Sequence, residues 1–554
     1  MPGFSLSNFC QFFKNNLKNL FNDLPSYTPT RQHFFALMAV CVLAQIGIYY
    51  FGKLPPNTHT SSYHIAVNDE MVHPLLQQLN DTHPNQTGVY LLNDGKDAFA
   101  SRLMLAKNAK KTLDIQYYIW KKDLTGVLLF QAIQQSAERG VRVRLLLDDN
   151  NTKGLDTILL ALDKHSNIEV RLYNPNKYRQ IRSLGFLANF SRLNRRMHNK
   201  SMTADNQISI TGGRNIGDEY FHVAGNPVFA DLDTLLIGHI VPEISQDFDR
   251  YWNSASAYPL GQIIDKSLLG EYTENKASQN DILQQLLQTQ QRQNPKFQQI
   301  EQQYLTSLQQ LDFTEQVQNN RLTFDWATAK LVSDNPRKTL NHLNKQALIS
   351  QLIFDNMGNP QRNLTIVSPY FIPTKTGANH LIQLAKQGID IQILTNAMSA
   401  TDVKIVHSGY AKYRKLLLEN GIKINELKPD IGIGNIKDTY LTGHTGTSLH
   451  AKTFEIDRER LFIGSYNLDP RSANLNTEMG IIIENPQIAE QLAQRLQQAL
   501  GENSYHVSLG NHGNLRWQTF ENGQWVEYHN EPHTTAFERG MVWLMAKLPI
   551  EWLL

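Results

Sequence analysis

Residues 197–205 read MHNKSMTAD, and residues 449–457 read LHAKTFEID. Each stretch carries a histidine, a lysine two positions on, and an aspartate five positions after the lysine. These are His198, Lys200 and Asp205 in the first, and His450, Lys452 and Asp457 in the second. On a strand, positions i and i+2 point to the same face. Each copy is therefore expected to project an imidazole and an ammonium together. A single His-x-Lys on a strand reads most simply as an exposed surface pair, whereas two copies in matching settings call for a shared purpose.

The settings do match. ISITGGRN (208–215) follows the first copy and LFIGSYN (461–467) the second, so both lead into a Gly-containing turn with an asparagine, Asn215 or Asn467. Upstream, LDIQYYI (113–119) and LTIVSPYFI (364–372) both read as buried strands. A helical pattern follows each, Leu124 to Arg139 and Lys375 to Gln387, ending at Gly140 or Gly388 as a C-terminal cap would. The runs VRVRLLLDD and IDIQILTN then supply a second strand in each half. Asp114 to His198 spans 84 positions and Thr365 to His450 spans 85. Strand–helix–strand order implies parallel pairing. The fold class expected is α/β, as two similar domains about a pseudo-twofold axis at 75–260 and 336–505. A Gln-rich helical connection (261–335) joins them, or a flexible insert on composition alone, and an extension (506–554) follows.

Two histidines, two lysines and two asparagines converging on one point would make a phosphate site. The cations and amides would neutralise and orient the equatorial oxygens. One imidazole can attack phosphorus in line, and the other can protonate the leaving oxygen and later deprotonate the incoming hydroxyl. No metal or cofactor is needed. Like-charge coupling between the imidazoles favours one neutral and one protonated ring. Ser465 adds a hydroxyl where the first half has Gly213, so the halves are not equivalent.

HNKSMTAD with GGRN, and HAKTFEID with GSYN, resemble the paired His-Lys-Asp motifs of the phospholipase D superfamily, across most of residues 90–500. The resemblance implies two phospholipase D-like α/β sandwich domains, one shared active centre and a phosphohistidine intermediate. It implies catalytic roles for His198, Lys200, His450 and Lys452, and phosphate contacts from Asn215, Ser465 and Asn467. It also implies acidic residues that hydrogen-bond the imidazole Nδ1 atoms. The positions matching them in ADLDTLLIG and LNTEMGIII are Asp233 and Glu478. Asp205 and Asp457 complete the two motifs and are candidate catalytic residues with them, or are structural if those other acids orient the imidazoles. His198 is expected to be the nucleophile and His450 the acid/base. ADLDTLLIG, TDVKIVHSGYAKYR and the C-terminal run are similar to cardiolipin synthase-type members, which implies phosphatidyl transfer on phospholipids such as phosphatidylglycerol and phosphatidylethanolamine. Hydrolysis through the same intermediate, a nuclease, and an inactive lipid-binding protein are the alternatives.

Residues 34–51 (FFALMAVCVLAQIGIYYF) carry no charge over 18 positions. That is near the length needed to span a bilayer, and a buried core helix is the bland alternative. A signal anchor over 34–52 is expected, preceded by a segment (1–33) that is cytoplasmic or interfacial. Lys14, Lys18 and Arg31 precede the span and Lys53 alone follows closely, so the N-terminus is expected in the cytoplasm of a bacterial cell. The catalytic part would then be periplasmic at the inner membrane. The only cysteines, Cys10 and Cys41, lie in this N-terminal region, which excludes disulfides and thiol catalysis from the rest.

Net charge is +2, so global charge marks no nucleic-acid partner, and none is expected. Locally, Lys177 to Arg196 contains six basic residues and no acidic one. It reads either as a membrane-facing basic lip or as a solvated loop. Asp148 and Asp149 end a strand and are expected to cap a helix. His407 is expected to be a satisfied helix histidine, and His444 shows no paired partner. The apolar end, Met541–Leu554, would pack on the core or dip into a membrane interface.

Overall fold

The computed structural model describes residues 52–58, 60–62, 74–223, 228–265, 297–341, 348–401, 403–429, 447–521 and 523–554, with isolated positions elsewhere. All but isolated positions of the expected span over 34–52, the segment before it, His444 and most of the Gln-rich stretch lie outside the described residues. Among the described residues no helix is long and apolar enough to cross a membrane.

The first half contributes β1 (Thr87–Leu92), β2 (Thr112–Ile119), β3 (Arg142–Asn151), β4 (Ile168–Tyr173), β5 (Ser201–Ala204), β6 (Ile208–Gly212), β7 (Val228–Ala230), β8 (Asp233–Gly238) and β9 (Ala257–Pro259). The second contributes β10 (Asp325–Ser333), β11 (Asn363–Val367), β12 (Asp390–Asn396), β13 (Lys423–Leu427), β14 (Thr447–Leu449), β15 (Thr453–Ile456), β16 (Arg460–Gly464), β17 (Met479–Glu484), β18 (Ser504–Leu509), β19 (Leu515–Glu521) and β20 (Gln524–Tyr528). β2, β3 and β4 pair in parallel, and so do β11, β12 and β13. β5 and β15, the strands that follow the two lysines, run antiparallel to β2 and β11. The duplication read from the sequence is thus repeated strand by strand. Helices Leu124–Glu138 and Thr374–Lys386 end at Gly140 and Gly388, whose φ angles of 92° and 91° are the left-handed values that glycine adopts without penalty.

The halves join edge to edge. β1 and β10 pair antiparallel, with Gly88 opposite Trp326, and carry the ladder from one half into the other. β10 also pairs with β17 along its length. The helical connection expected over 261–335 therefore ends earlier, because Asp325–Ser333 is a strand of the second half. The alternation of the run DWATAKLVS places one face of that strand inward. Each half has its own core, and a third cluster is shared. In it Val89, Leu236 and Ile244 of the first half meet Leu461, Ile481 and Ile488 of the second.

Asp205 and Asp457 sit far from any catalytic task. Each opens the turn after β5 or β15 with φ above zero, 52° and 59°. The Asp205 carboxylate accepts from the N–H groups of Lys110, Lys111 and Thr112 at 2.7–2.9 Å, just where β2 begins. Asp457 does the same for Gln361, Arg362 and Asn363 ahead of β11. Their place in the motif reflects fold geometry, since the hairpin tip must be fastened to the neighbouring strand. Asp205→Ala would leave three inward-facing donors without their anion. It is expected to lower stability by about 3 kcal/mol, read from the denaturation midpoint, without moving either histidine.

Candidate active site

Neither histidine lies within a strand. His198 and Lys200 precede β5, and His450 and Lys452 fall between β14 and β15. What holds them is the opposite half. Met197 bridges to Thr477, and the His198 N–H donates to the Thr477 carbonyl at 2.8 Å. β14 pairs in parallel with β7, and the N–H groups of His450 and Ala451 both donate to the Ala230 carbonyl. Each histidine backbone is thus strapped beside an acidic residue of the other half.

The side chains complete the crossing. His198 Nδ1 lies 2.8 Å from Glu478 Oε2 and 3.2 Å from the Ser465 carbonyl. His450 Nδ1 lies 2.6 Å from Asp231 Oδ2. Asp233, expected to orient one of the two imidazoles, is elsewhere: it pairs with Arg102 at 2.8 Å and accepts the Arg214 N–H. The strand register explains the displacement. Gly212 is opposite Asp233 and Gly464 is opposite Gly480, so the counterpart of Glu478 lies two positions before Asp233. Setting Thr234–Leu236 against Ile481–Ile483, as the register does, puts Asp231 in the place of Glu478.

Gly213 now has a reason. A Cβ there would sit 2.0 Å from Asp231 Oδ1. The second half pairs a longer acid with a serine, and Ser465 Oγ donates to Glu478 Oε2 at 2.5 Å. The shorter aspartate goes with glycine and the longer glutamate with serine, and both carboxylates reach their imidazoles.

The lysines lie close in: Lys200 Nζ donates to the His198 carbonyl at 2.5 Å, and Lys452 Nζ to the His450 carbonyl. Tyr118 meets the His198 ring edge-on at 4.8 Å, while Phe229 stacks on His450 at 5.3 Å and Tyr220 meets it edge-on. The asparagines differ. Asn215 is engaged on both sides, its amide donating to Tyr220 Oη and its carbonyl accepting from the Ile119 N–H. Asn467 is buried, and its Oδ1 has no hydrogen-bond partner among the described residues.

Asp148 and Asp149 cap no helix. Asp148 holds the Arg196 guanidinium and the Met197 N–H, fixing the chain immediately before His198. Asp149 takes Arg179 and Arg182, together with the Asn176 N–H. Most arginines of the basic run before His198 therefore face inward, while Lys177 is exposed. His407 is satisfied by Glu531, as expected of a helix histidine. No group of three metal-ligating side chains occurs among the described residues.

Burial, with Lys200, Lys452 and His450 nearby, holds His198 well below the ordinary histidine value. Burial and Lys452 lower His450 too, against the pull of Asp231. Burial opposes charge on Asp231, yet His450 and Lys452 keep its carboxyl below the usual range. Glu478 is raised by burial to about 7, and Lys200 is lowered by burial to about 7. One imidazole thus faces a firmly ionised carboxylate and the other a carboxyl poised at neutrality. With each Nδ1 engaged, Nε2 is the nitrogen left for substrate. Two such rings among buried ammonium groups on a duplicated α/β scaffold define a phosphodiester-transfer centre of the phospholipase D class.

Comparison with known proteins narrows this. Residues 103–252 and 353–500 each match the family described as cardiolipin synthase, phospholipase D-like domain. Cardiolipin synthase C of Escherichia coli (strain K12) is 43% identical over 476 residues, covering 85% of this chain and 97% of that protein. An uncharacterized protein of Helicobacter pylori (strain ATCC 700392 / 26695) is 31% identical, covering 82% of this chain and 88% of that protein. The crystal structure of phosphatidylserine synthase from Haemophilus influenzae Rd KW20 aligns with a TM-score of 0.49 at 14% identity, covering 78% of this chain and 92% of that one. The chain belongs to the cardiolipin synthase family of phospholipase D-like enzymes.

Two expectations follow. Asp231→Asn should lower turnover by about 100-fold or more through loss of the imidazolium's counter-charge. Asp233→Asn should instead cost about 3–5 kcal/mol of stability by unpairing a buried guanidinium. Measured kcat values and denaturation midpoints separate the two. The free enzyme loses the Lys200 cation as pH rises through about 7, and the Glu478 carboxylate as pH falls through about 7. The profile of kcat/KM should therefore peak near neutrality. An unchanged value between about pH 6 and 9 would contradict both assignments.

Proposed function

We propose that the chain is a membrane-associated phosphatidyltransferase that makes cardiolipin or a related diphosphatidyl lipid. The observation that carries this reading is the crossed pair of imidazole–carboxylate contacts, set in a chain that covers nearly all of its cardiolipin synthase relative. His198 Nε2 attacks the phosphorus of a phospholipid diester. The bond from phosphorus to the head-group oxygen breaks, and the His450 imidazolium gives that oxygen its proton. A phosphatidyl–His198 adduct remains. The neutral His450 then takes the proton of a phosphatidylglycerol hydroxyl, whose oxygen attacks phosphorus and releases His198. Donors that suit this scheme are phosphatidylglycerol and phosphatidylethanolamine.

The difference between the two acids supports the order of roles. Asp231, held ionised, opposes the burial and the Lys452 charge that lower His450 and is the counter-charge its imidazolium needs as general acid, whereas His198, lowered further, has no firmly ionised partner and is kept neutral as a nucleophile must be. Lys200 and Lys452 would neutralise the equatorial oxygens as charge develops there. Asn467 would donate its amide to the same oxygens, and Ser465 would steady Glu478. A buried site limits competition by water for the adduct.

The test uses the full chain in vesicles of phosphatidylglycerol and phosphatidylethanolamine, with products read by lipid mass spectrometry. Cardiolipin is expected from the wild type and from neither His198→Ala nor His450→Ala. The His450→Ala variant should also retain a phosphatidyl mass on His198 when given a donor with a good leaving group. Phosphatidic acid without cardiolipin would make the enzyme a hydrolase. Full turnover by His198→Ala would end the two-histidine scheme.

A further inference from the structure

In the sequence, the run before His198 looks like a charged surface. The structure turns it inside out. Arg179 and Arg182 are held by Asp149 and Asp156, Arg192 donates to Asn174 Oδ1 at 2.6 Å, and Arg196 is buried on Asp148. The large apolar side chains left outside, beside the exposed Lys177, are Ile181, Leu187 and Phe190, at the start of or on helix Arg182–Leu193. Leu187 is 70% exposed.

The C-terminal helix Ala536–Lys547 is inverted in the same sense. Phe537, Met541, Leu544 and Leu548 recur at spacings that place them on one face, and that face is in solvent, with Phe537 76% exposed. The opposite side is fastened to helix Lys404–Glu419: Val542 is buried, and Glu538 pairs with Lys404. Trp543 and Trp552 are 64% and 59% exposed, and Lys547 Nζ lies 5.5 Å above the Trp543 ring. Scattered exposed apolar residues need no explanation. Nine of them on two elements are a patch with a purpose.

The two elements are neighbours, and both border the catalytic centre. The Arg471 N–H donates to the Leu554 carbonyl, and its guanidinium donates to both Asn194 Oδ1 and the Asn194 carbonyl, each contact at 2.8 Å. Asn194 precedes His198 by four positions and Arg471 follows Asn467 by four. One residue thus clasps the end of each element beside the residues that would hold the phosphate.

We propose that helix 182–193 and the segment 536–552 dock the catalytic centre onto a phospholipid bilayer. Their apolar side chains enter the boundary between head groups and acyl chains, so that a diester is drawn from the surface straight onto His198 and His450. This rests on the lipid reading above. Tryptophan with a lysine at its side suits that boundary, where one end of a residue is apolar and the other wet. The neighbouring arginines are engaged internally, so docking is driven by apolar burial and hardly by attraction to anionic head groups.

The full chain is reconstituted in phosphatidylglycerol–phosphatidylethanolamine vesicles carrying acyl-chain bromine near the glycerol, and tryptophan quenching is read. The contribution of residues 1–51 is common to every variant. Quenching is expected to fall by about half in the W543F/W552F double variant, and to stay constant between low and about 0.5 M salt. Leu187→Ser with Phe537→Ser should lose about tenfold in turnover on bilayer lipid, yet stay within about twofold on a short-chain phospholipid dispersed as monomers. Equal quenching in wild type and double variant would overturn the proposal. So would an equal loss on both substrates, or a patch found covered by a second copy. Quenching as expected without any cardiolipin from the wild type would uphold docking and sink only the assigned reaction.

Discussion

The structure depends on the exchange of acids between halves. His198 belongs to the first half, yet Glu478 of the second fixes its ring, and His450 is fixed by Asp231 in return. Neither half holds a complete acid–imidazole pair of its own. The edge pairing of β1 with β10 and the apolar cluster shared by β8, β16 and β17 therefore serve catalysis directly. An imidazole displaced by even an ångström loses in-line geometry, and no flexible linker could hold two half-sites to that tolerance. A continuous sheet and a common core can.

Duplication made this arrangement possible, and divergence made it useful. In an exact twofold both rings would sit in the same environment and share one intrinsic proton affinity. Exchanging Glu and Ser in one half for Asp and Gly in the other breaks that degeneracy with very few atoms. The Gly213 backbone leaves room for the shorter acid, and Ser465 hydrogen-bonds the longer one. Ionisation differs accordingly between the two carboxyls, which is what nucleophile and acid require of their partners.

Much of this was legible in the sequence. The repeated His-x-Lys, the matching strand–helix–strand runs and the glycine caps gave the fold and the four basic residues, because spacing and periodicity are local properties. Asp233 was misplaced because the choice between Asp231 and Asp233 depends on strand register, and a two-residue slip leaves the facing pattern unchanged. The crossing itself could not be read, since it lives in contacts between residues hundreds of positions apart. The arginines ahead of His198 misled for a related reason. A run of cations looks like surface until the acids that receive them, Asp148 and Asp149, are known to lie beneath. The strand Asp325–Ser333 was hidden by the Gln-rich helical composition before it.

The crossing also sets an order of events in time. His198 and Glu478 are separated by 280 residues. At roughly 5–20 residues per second, a ribosome needs about a quarter of a minute to a minute to pass from one to the other. Until β10 is made the first half has an open strand edge at β1, and throughout the interval its histidine loop has nothing to close on. The nascent chain must be kept from pairing with its neighbours until β10 and then β17 emerge. Catalytic competence arrives late and all at once, so a truncated fragment carries no stray transferase activity.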